Sequence, residues 1–361
     1  MSFNFYLFRG LRLLLFPVSL IAGIYITLRN LIYDRGWLKS TTFNMPIICV
    51  GNLSMGGTGK SPMTEYLLRL LAHRYNMAVL SRGYKRKTNG YLLAGQNTTA
   101  LEIGDEPMQF HKKFPEVAVA VGEVRIEAIP QLLHDRPETK AIILDDAFQH
   151  RAIKAGLNIV LTDFSNPYWH DTYLPTGELR DNRKSAARAN IIIVTKCPPD
   201  LSDTIRTNYI RRIRPRPGQK VFFTSIEYGK PYHIISGQET ELSMDMELLL
   251  VCGIANPVPL KNHLEAAVEF YIEKNYNDHH IFSIDDWNDI VEKFNGLEGN
   301  RKIILTTEKD AVRLEKFGSL MQQIPLYVMP ITHRFLFGEQ DLFDLQVKEF
   351  IEGFAYVPTT Q

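Results

Sequence analysis

Residues 46–62 of this chain, PIICVGNLSMGGTGKSP, restrict its possible folds more than any other segment. An apolar run leads into a glycine-rich loop that ends at Gly59, Lys60 and Ser61, and a helix-forming stretch follows. In this order of strand, loop and helix, backbone N–H groups at the helix N-terminus bind phosphate. The segment therefore predicts a phosphate-binding loop in which Lys60 reaches the β- and γ-phosphates and the Ser61 hydroxyl binds Mg²⁺.

The loop departs from the pattern GxxxxGK[ST] at its first position, where Ser54 replaces glycine. A plain turn between strand and helix is the alternative interpretation. It would explain one or two glycines, but not three glycines in register with a lysine and a serine. We therefore predict that the nucleotide-binding loop consists of Ser54, Met55, Gly56, Gly57, Thr58, Gly59, Lys60 and Ser61.

A second chemical signal lies at 141–150, AIILDDAFQH, where Asp145 and Asp146 end an apolar run. This arrangement resembles a Walker B element, which holds Mg²⁺ beside a phosphate-binding loop. Taken alone, an aspartate pair after a strand is often a helix cap or a turn. Beside the loop, metal binding by Ser61, Asp145 and Asp146 is the better hypothesis. His150 follows closely and is a candidate for ordering phosphate, water or substrate.

The strands expected in the first part of the chain are apolar throughout, at 47–50, 77–81, 141–144, 158–162 and 191–195. Continuous rather than alternating apolarity is typical of strands that are covered on both faces, as in parallel sheets flanked by helices. We therefore predict an α/β fold with a doubly wound, mostly parallel sheet of the P-loop NTPase type.

A second set of apolar runs, at 247–252, 302–306 and 326–328, indicates another α/β unit. Between the two sets, the stretch RRIRPRPG at 211–218 mixes charge with proline and glycine, which is typical of a chain leaving a sheet. We predict four parts: an N-terminal helix at 1–35, a P-loop core at 36–218, a two-stranded linker at 219–240 and a smaller α/β domain at 241–361.

Charge and cysteine content exclude several classes of protein. The chain has 41 Lys or Arg and 40 Asp or Glu, so its net charge of +1 provides no basic field to hold nucleic acid. Residues 1–39 contain five basic residues and one acidic residue, which gives this segment +4 and the remainder −3. The three cysteines lie far apart without a CxxC pair, which excludes a disulfide scaffold or a cysteine zinc site.

The N-terminal segment contains an uncharged stretch, LLLFPVSLIAGIYITL, of 16 residues. As a helix it would rise about 24 Å, short of the roughly 30 Å hydrocarbon core of a bilayer. Its polar residues share a sector of about 80° and leave the rest apolar, which favours a helix lying in a membrane interface with its basic side against anionic headgroups. This sector holds Arg9, Arg12, Ser19, Gly23, Thr27 and Asn30.

Two other interpretations of this segment stay open. A signal peptide would have Arg9 and Arg12 as its basic region, but no small-residue cleavage site follows and the nucleotide chemistry needs the cytosol. A helix buried against the rest of the protein would show the same apolar stretch.

Together these features resemble one family, the tetraacyldisaccharide 4′-kinases, which are the lipid A kinases of Gram-negative bacteria. The resemblance runs over nearly the whole chain, and the order and spacing of its motifs are specific. Besides the helix and the loop, the matching motifs are SRGYKR at 81–86, GDEP at 104–107, VGEVR at 121–125, LDDAFQH at 144–150, LPTGELR at 174–180, TK at 195–196, DHH at 278–280 and TTEKDAVRL at 306–314.

The resemblance implies transfer of the ATP γ-phosphoryl group to the 4′-hydroxyl of a tetraacylated glucosamine disaccharide 1-phosphate, with ATP and Mg²⁺ as cofactors. Such a substrate keeps its acyl chains in the bilayer and exposes its sugar head. The expected location is therefore the cytoplasmic face of the inner membrane, as a peripheral or monotopic protein. The implied partners are this lipid and the membrane surface, with no nucleic acid and no obligatory protein partner.

Residue by residue, the GDEP match implies that Asp105 is the catalytic base, acting with Lys60. The DHH match implies that His279 orients this carboxylate or raises its basicity. The two lie 174 positions apart, so the second domain must fold toward the first. A helix N-cap is the alternative for Asp105, and His280 is an equal candidate by chemistry alone.

Four further residues are candidates for binding the substrate phosphate or neutralising the transferred group: Arg82, Arg125, His150 and Arg180. Guanidinium geometry suits phosphate, although a surface ion pair is the common role of an arginine. Lys196 ends the run IIIVTK, where nucleotide-binding α/β folds often contact the base or ribose. The roles of Lys309 and Asp310 stay open.

Two other functions compete with the kinase. A P-loop GTPase or metallochaperone needs an NKxD element that reads guanine, and VTKCPPD at 194–200 lacks its asparagine and the aspartate in the required place. A membrane-associated nucleotide sensor would bind ATP without turnover. Phosphate transfer to the disaccharide separates these alternatives.

Overall fold

The structure, a computed structural model of the chain, describes residues 14–354. Nine strands form the larger sheet and five form the smaller one. The strands of the larger sheet are β1 (Ile47–Asn52), β2 (Met77–Ser81), β3 (Leu92–Leu93), β4 (Ala118–Val121), β5 (Ala141–Asp145), β6 (Leu157–Asp163), β7 (Ile191–Thr195), β8 (Lys220–Tyr228) and β14 (Ile331–Phe335). Those of the smaller sheet are β9 (Tyr232–His233), β10 (Glu247–Cys252), β11 (Phe270–Asn275), β12 (Lys302–Thr307) and β13 (Leu326–Met329).

Helices cover both sheets. They are α1 (Phe16–Asp34), α2 (Lys60–Leu71), α3 (Ala100–Ile103), α4 (Asp105–Lys113), α5 (Arg125–Asp135), α6 (Asp203–Ile213), α7 (Val258–Ala267), α8 (Ile284–Asn295), α9 (Glu308–Leu314) and α10 (Gln340–Glu352), with short 3₁₀ helices at Arg183–Arg188 and Glu315–Met321.

The larger sheet has the order β14-β8-β7-β6-β1-β5-β2-β4-β3, and its pairs are parallel except at the two edges. Successive residues of β1 enter different core clusters, with Ile47 and Cys49 on one face and Ile48 and Val50 on the other. Burial on both faces explains why this strand is apolar throughout. The predicted doubly wound, mostly parallel α/β fold is confirmed.

The segment predicted as a two-stranded linker, 219–240, is organised differently. Its two strands do not pair with each other: β8 lies parallel to β7 in the larger sheet, and β9 lies antiparallel to β13 in the smaller one. Four consecutive residues of β8, from Phe222 to Ser225, are buried. The driving force is the burial of its phenylalanines, which is greater inside the sheet than in an isolated ribbon.

The chain also returns to the larger sheet near its C-terminus. β14 pairs with β8, and α10 buries Phe343, Val347 and Ile351 in the core that also contains the P-loop helix α2. The sequence grouped these residues with the smaller domain because β14 carries polar residues and gives no strong strand signal. The four-part division itself stays a prediction, now with 331–352 placed on the larger sheet.

We call each sheet with the helices packed on it the larger and the smaller unit. Helix α1 docks on the larger unit through its polar side. Ser19, Gly23 and Asn30 are its buried residues, and the Asn30 amide donates to Asp181 Oδ1 at 2.8 Å and to Ser185 at 3.2 Å. Its apolar side chains face outward instead; Ile21 and Tyr25 are 67% and 66% exposed.

The expected orientation of this helix is therefore corrected. The predicted polar sector lies against the protein rather than against headgroups, because its amide and hydroxyl groups find hydrogen-bond partners there. Arg9 and Arg12, the basic part of that sector, lie outside the described residues. Within residues 14–354, α1 is the single helix that is long and apolar enough to cross a membrane.

Candidate functional site

The predicted strand, glycine-rich loop and helix are present as β1, residues 53–59 and α2. Gly56 and Gly59 have φ angles of 97° and 84°, in the left-handed region that favours glycine. The Asn52 side chain donates to the Thr58 hydroxyl at 2.8 Å, and the Thr195 hydroxyl donates to the Thr58 carbonyl at 2.9 Å. The end of β7 thus supports the loop from behind.

The structure explains the absence of a glycine at Ser54. This residue forms an antiparallel bridge with Leu179, and the flanking backbone bonds run from Met55 N to Glu178 O (2.7 Å) and from Arg180 N to Leu53 O (2.9 Å). A residue in extended pairing needs no left-handed conformation. The LPTGELR segment therefore forms the outer wall of the loop.

The aspartate pair lies beside the loop because β5 is the parallel neighbour of β1, with Asp145 in register with Val50. Asp145 is buried and accepts hydrogen bonds from Thr64 at 3.3 Å and Ser81 at 3.2 Å. Burial raises the pKa of Asp145 to about 6, and the charge of Asp146 adds to the effect. The predicted pairing of this strand end with the P-loop is present.

Asp146 faces two cations. Both of its carboxylate oxygens accept from the Arg180 guanidinium, and the Lys60 ammonium lies 3.8 Å from Oδ1. Burial alone would raise the pKa of Asp146, but Lys60 and Arg180 outweigh it and hold the pKa below its ordinary value. Conversely, burial lowers the pKa of Lys60, and the charge of Asp146 opposes that shift.

Asp105 is the first residue of α4, so its carboxylate is not the N-cap; Gly104 holds that position. Oδ2 of Asp105 lies 2.9 Å from His279 Nδ1 and 2.7 Å from Arg313 Nη2. The two nitrogens are 3.0 Å apart because both converge on the same oxygen. Within residues 14–354, no hydrogen bond uses Oδ1 of Asp105, which is left for another donor.

The charges around this carboxylate keep it ionised. Burial alone would raise the pKa of Asp105, but hydrogen bonds from His279 and Arg313, together with the arginine charge, hold it at about 2. His280 points elsewhere: its Nε2 lies 2.9 Å from Asp286 Oδ2 on α8. The structure thus separates the two histidines that residue chemistry alone left equivalent.

Arg313 is a site residue that sequence reasoning missed. It lies on α9, inside the motif TTEKDAVRL, 208 positions from Asp105. The motif itself is visible in the sequence, but nothing local to it indicates which side chain crosses to the larger unit. Arg313 also donates to Asp310 Oδ1 at 3.2 Å, and this carboxylate in turn accepts from the Gly253 amide at 2.9 Å.

Two further ion pairs join α9 to α4, and a third joins α4 to α2. Lys309 lies 2.9 Å from Glu106, and the ammonium of Lys113 bridges Glu65, at 2.5 Å, and Glu308. Burial raises the pKa of Glu308 to about 7, with the charge of Glu65 as the second cause. The helix that begins with Asp105 is therefore tied to the smaller unit along its length.

A cationic group, Arg125 with Arg82, lies near the aspartate pair. Arg125 is buried at the start of α5, and burial followed by the charge of Arg82 lowers its pKa. Burial lowers the pKa of His150 to about 4, and the charges of Arg125, Arg29 and Arg82 contribute. Arg29, from α1, donates to the Gln149 carbonyl at 3.0 Å and was not predicted from the sequence.

Lys196 lies at the end of β7 with a φ of 57°. Its ammonium forms a 2.7 Å ion pair with Asp163, at the end of the adjacent strand β6. Both residues occupy the carboxyl edge of the sheet, on the side of the loop away from Asp105. Any contact of Lys196 with a nucleotide would therefore be made next to this carboxylate.

Comparison with known proteins identifies the family. The model of the family described as Tetraacyldisaccharide-1-P 4′-kinase matches residues 11–351. A protein of Bacteroides thetaiotaomicron named tetraacyldisaccharide 4′-kinase is 42% identical over 351 residues, covering 93% of this chain and 92% of its own. A protein of the same name from Flavobacterium johnsoniae is 45% identical over 351 residues, covering 95% and 98%.

A crystal structure of LpxK from Aquifex aeolicus, described as an apo form in complex with ATP, is similar over its whole length. It superposes with a TM-score of 0.73 at 27% identity, covering 94% of this chain and 99% of the other. Because the fold, the order of the motifs and the sequence over nearly the whole chain all match, the chain belongs to the tetraacyldisaccharide-1-P 4′-kinase family.

Proposed function

We propose that this protein transfers the γ-phosphoryl group of ATP to the 4′-hydroxyl of a tetraacylated glucosamine disaccharide 1-phosphate. The relatives carry this activity in their names, and the neighbouring crystal structure is of a complex with ATP. The observation that carries the proposal is the ionised Asp105, held by two residues of the smaller unit beside a phosphate-binding loop. A nucleotide-binding module alone needs no such carboxylate.

The donor would occupy the loop of residues 54–61. Its amides and Lys60 suit the phosphates, since a helix N-terminus and an ammonium both favour negative charge. Lys196 is our candidate for contact with the base or ribose. Ser61, Asp145 and Asp146 offer oxygen ligands to Mg²⁺, which prefers a few carboxylates together with phosphate oxygens and water. When bound, the metal supplies neutralisation of the phosphate charge.

The acceptor hydroxyl would donate its hydrogen bond to Oδ1 of Asp105. A carboxylate with a pKa of about 2 is a weak base. Phosphoryl transfer has a loose transition state in which the nucleophile keeps its proton until late, so positioning and charge outweigh basicity. Asp105 then orients the hydroxyl and receives the proton as the new bond forms, while His279 and Arg313 keep the carboxylate in place.

The substrate phosphate suits the cationic group near α5. Arg82 is exposed and Arg125 buried, and the buried Nε2 of His150 has no hydrogen-bond partner within the described residues. The two guanidinium groups offer both charge and donors to an anion, and the neutral His150 ring adds a hydrogen-bonding nitrogen. Arg180 is paired with Asp146 and is better placed to neutralise charge next to the transferred group.

A lipid substrate would explain why α1 exposes apolar side chains. Its exposed apolar face would enter the interfacial region of the inner membrane from the cytoplasmic side, where ATP is available. Its polar face, bonded to Asp181 and Ser185, would hold the active site at the membrane surface. Such an arrangement would bring the sugar head of a bilayer-embedded acceptor within reach of the loop.

Replacing Ile21 and Ile24 together with serine should weaken binding to vesicles of phosphatidylethanolamine and phosphatidylglycerol by roughly 100-fold. Both side chains are more than half exposed, and losing the burial of each costs about 1.5 kcal/mol. Vesicle sedimentation measures the effect. The matched control is serine at Leu342 and Leu345, which are about half exposed on α10; this variant should bind like wild type. If the α1 variant bound the vesicles as well as the α10 control, α1 would not be the membrane-binding helix.

Replacing Arg313 with methionine should move the acid limb of the pH profile of kcat/KM upward. Without the guanidinium, the pKa of Asp105 rises from about 2 toward or above the ordinary value of 3.8. Because the ionised carboxylate is the active form, activity is lost as pH falls through the new, higher pKa. Methionine at Arg301, whose ion pair with Asp245 is exposed, is the control. An unshifted acid limb in the Arg313 variant would argue against this positioning role.

The function itself is tested by acceptor dependence. Purified protein in detergent should release ADP only when ATP, Mg²⁺ and the disaccharide 1-phosphate are all present. Release of GDP from GTP at a higher rate would favour the GTPase or metallochaperone. Nucleotide binding without any release would favour the sensor.

A further inference from the structure

The last strand of the larger sheet places a histidine directly behind the phosphate-binding loop. His333 of β14 is 2% exposed, and its Nε2 lies 2.9 Å from the carbonyl oxygen of Gly59. A carbonyl only accepts, so Nε2 carries the proton. Nδ1 lies 2.9 Å from the buried Thr224 hydroxyl, which donates to it. Burial lowers the pKa of His333 to about 4, so the ring is neutral with one defined tautomer.

This bond orients a peptide group of the loop. In a trans peptide the C=O and the following N–H point in opposite directions. Holding the Gly59 carbonyl toward β14 therefore aims the Lys60 N–H toward the opposite side, into the loop. Thr195 acts in the same way on the preceding peptide, since its hydroxyl holds the Thr58 carbonyl at 2.9 Å and so aims the Gly59 N–H.

The carbonyl of Gly59 has a second donor, the Met63 amide at 3.1 Å in the first turn of α2. The helix bond already satisfies this oxygen, so the histidine is not needed to prevent an unpaired buried group. Its effect is geometric, because two donors from different elements fix the peptide plane where one would leave it free to tilt.

The ring also limits where the loop can go. A Cβ at Gly59 would lie 2.9 Å from His333 Cε1, closer than real side chains approach, so the ring is packed against the glycine backbone. Aromatic packing secures β14 in turn, since Tyr66 of α2 contacts Phe335 and Phe343 with ring centroids 5.3 and 5.8 Å away. The loop and its support therefore form one packed unit.

We propose that His333 is a positioning residue for the nucleotide: through its Nε2–H it holds the Gly59–Lys60 peptide with the amide aimed at the phosphates of the donor. The inference rests on the proposed nucleotide-binding role of the loop. It assigns a function to the return of the chain to the larger sheet at 331–352, which carries no other site residue. The support comes from 274 positions away in the sequence.

The test compares His333→Leu with His333→Gln in the full-length protein. Leucine has a similar volume and no donor, whereas the glutamine amide can donate from nearly the same place as Nε2. We expect leucine to raise the KM for ATP and the Kd for ADP about tenfold, as for loss of one hydrogen bond to the backbone. The kcat and the KM for the lipid should stay within about threefold, and glutamine should restore most of the nucleotide affinity.

His233→Leu is the matched control, since its ring lies 3.3 Å from a carbonyl of Ile324 in the smaller unit. It should lower thermal stability without changing the nucleotide constants. Unchanged ADP affinity in folded His333→Leu, or a glutamine variant no better than leucine, would overturn the proposal.

If His333→Leu does not fold, Thr224→Val removes the hydroxyl that fixes the tautomer and keeps the ring. It should raise the Kd for ADP by about threefold, and an unchanged Kd would count against the proposal. Because ADP binding is measured without the lipid, a failure of phosphoryl transfer in the wild type would overturn the proposed reaction and leave this inference standing.

Discussion

Asparagine in place of Asp105 is expected to lower kcat for phosphoryl transfer by about 10³-fold, within the range for losing a general base. The amide keeps the shape of the side chain and can still accept from Arg313, but it has neither the charge nor the proton affinity to take the hydroxyl proton. The Kd for ADP should change less than about threefold, because Asp105 lies outside the phosphate-binding loop. Steady-state transfer assays and calorimetric titration with ADP measure the two effects.

Asp135→Asn is the control for this substitution. Asp135 accepts a hydrogen bond from Tyr91 at 2.9 Å, far from the loop, so its variant should transfer phosphate at the wild-type rate. A kcat within threefold of wild type in Asp105→Asn would remove Asp105 from the reaction. An equal loss of ADP binding would instead indicate a general structural defect.

Replacing Lys60 with alanine is expected to lower kcat/KM for ATP by about 10²–10³-fold, as for loss of one preorganised charge in a closed site. Lys60 begins α2 and faces Asp146 at 3.8 Å, so its removal also leaves the aspartate pair with one fewer cation. Loss of the ammonium destabilises the transition state more than the ground state, because negative charge shifts toward the leaving phosphate group. The kcat should therefore fall more than the Kd for ADP rises.

The control for Lys60→Ala is alanine at Lys154. Lys154 is exposed, and its alanine variant should retain full activity. If Lys60→Ala kept wild-type kcat/KM, the loop would not be the donor site, and the glycine pattern would be only a turn.

Much of the larger sheet could be predicted because its strands carry their own signal. The runs around 47–50 and 191–195 are apolar throughout, and such a pattern depends only on burial of both faces. β14 has no such signal, since its Thr332, His333 and Arg334 are polar. Its place is determined by packing of Phe335 against Phe343 of α10 and against Phe222 of β8, which lies far earlier in the chain.

The candidate site shows the same division between local and distant information. The loop and the aspartate pair are short motifs with a local mechanism. Only the family resemblance predicts the pairing of Asp105 with His279, and no sequence signal predicts the contact made by Arg313. Both contacts link α4 of the larger unit to the smaller one, His279 from the loop after β11 and Arg313 from α9.

The orientation of α1 illustrates a further limit. The sequence predicts its polar sector, yet amphipathicity alone does not tell which medium each face meets. Asn30 belongs to the sector whose basic residues are expected to meet headgroups, whereas Asp181 and Ser185 provide buried partners for its amide. A polar face of amide, hydroxyl and glycine residues suits a protein surface, and this composition is the signal that could have indicated it.

The most direct test of the central claim is to locate the transferred phosphoryl group on the acceptor. Wild-type protein is incubated with ATP, Mg²⁺ and the tetraacylated disaccharide 1-phosphate in detergent, and the product is examined by proton–phosphorus correlation NMR. The account predicts a second phosphate coupled to the proton at C4′, formed with one ADP per product, and about 10³-fold slower formation of this product by Asp105→Asn. A phosphate at another position, or ADP released at the same rate without the acceptor, would contradict it.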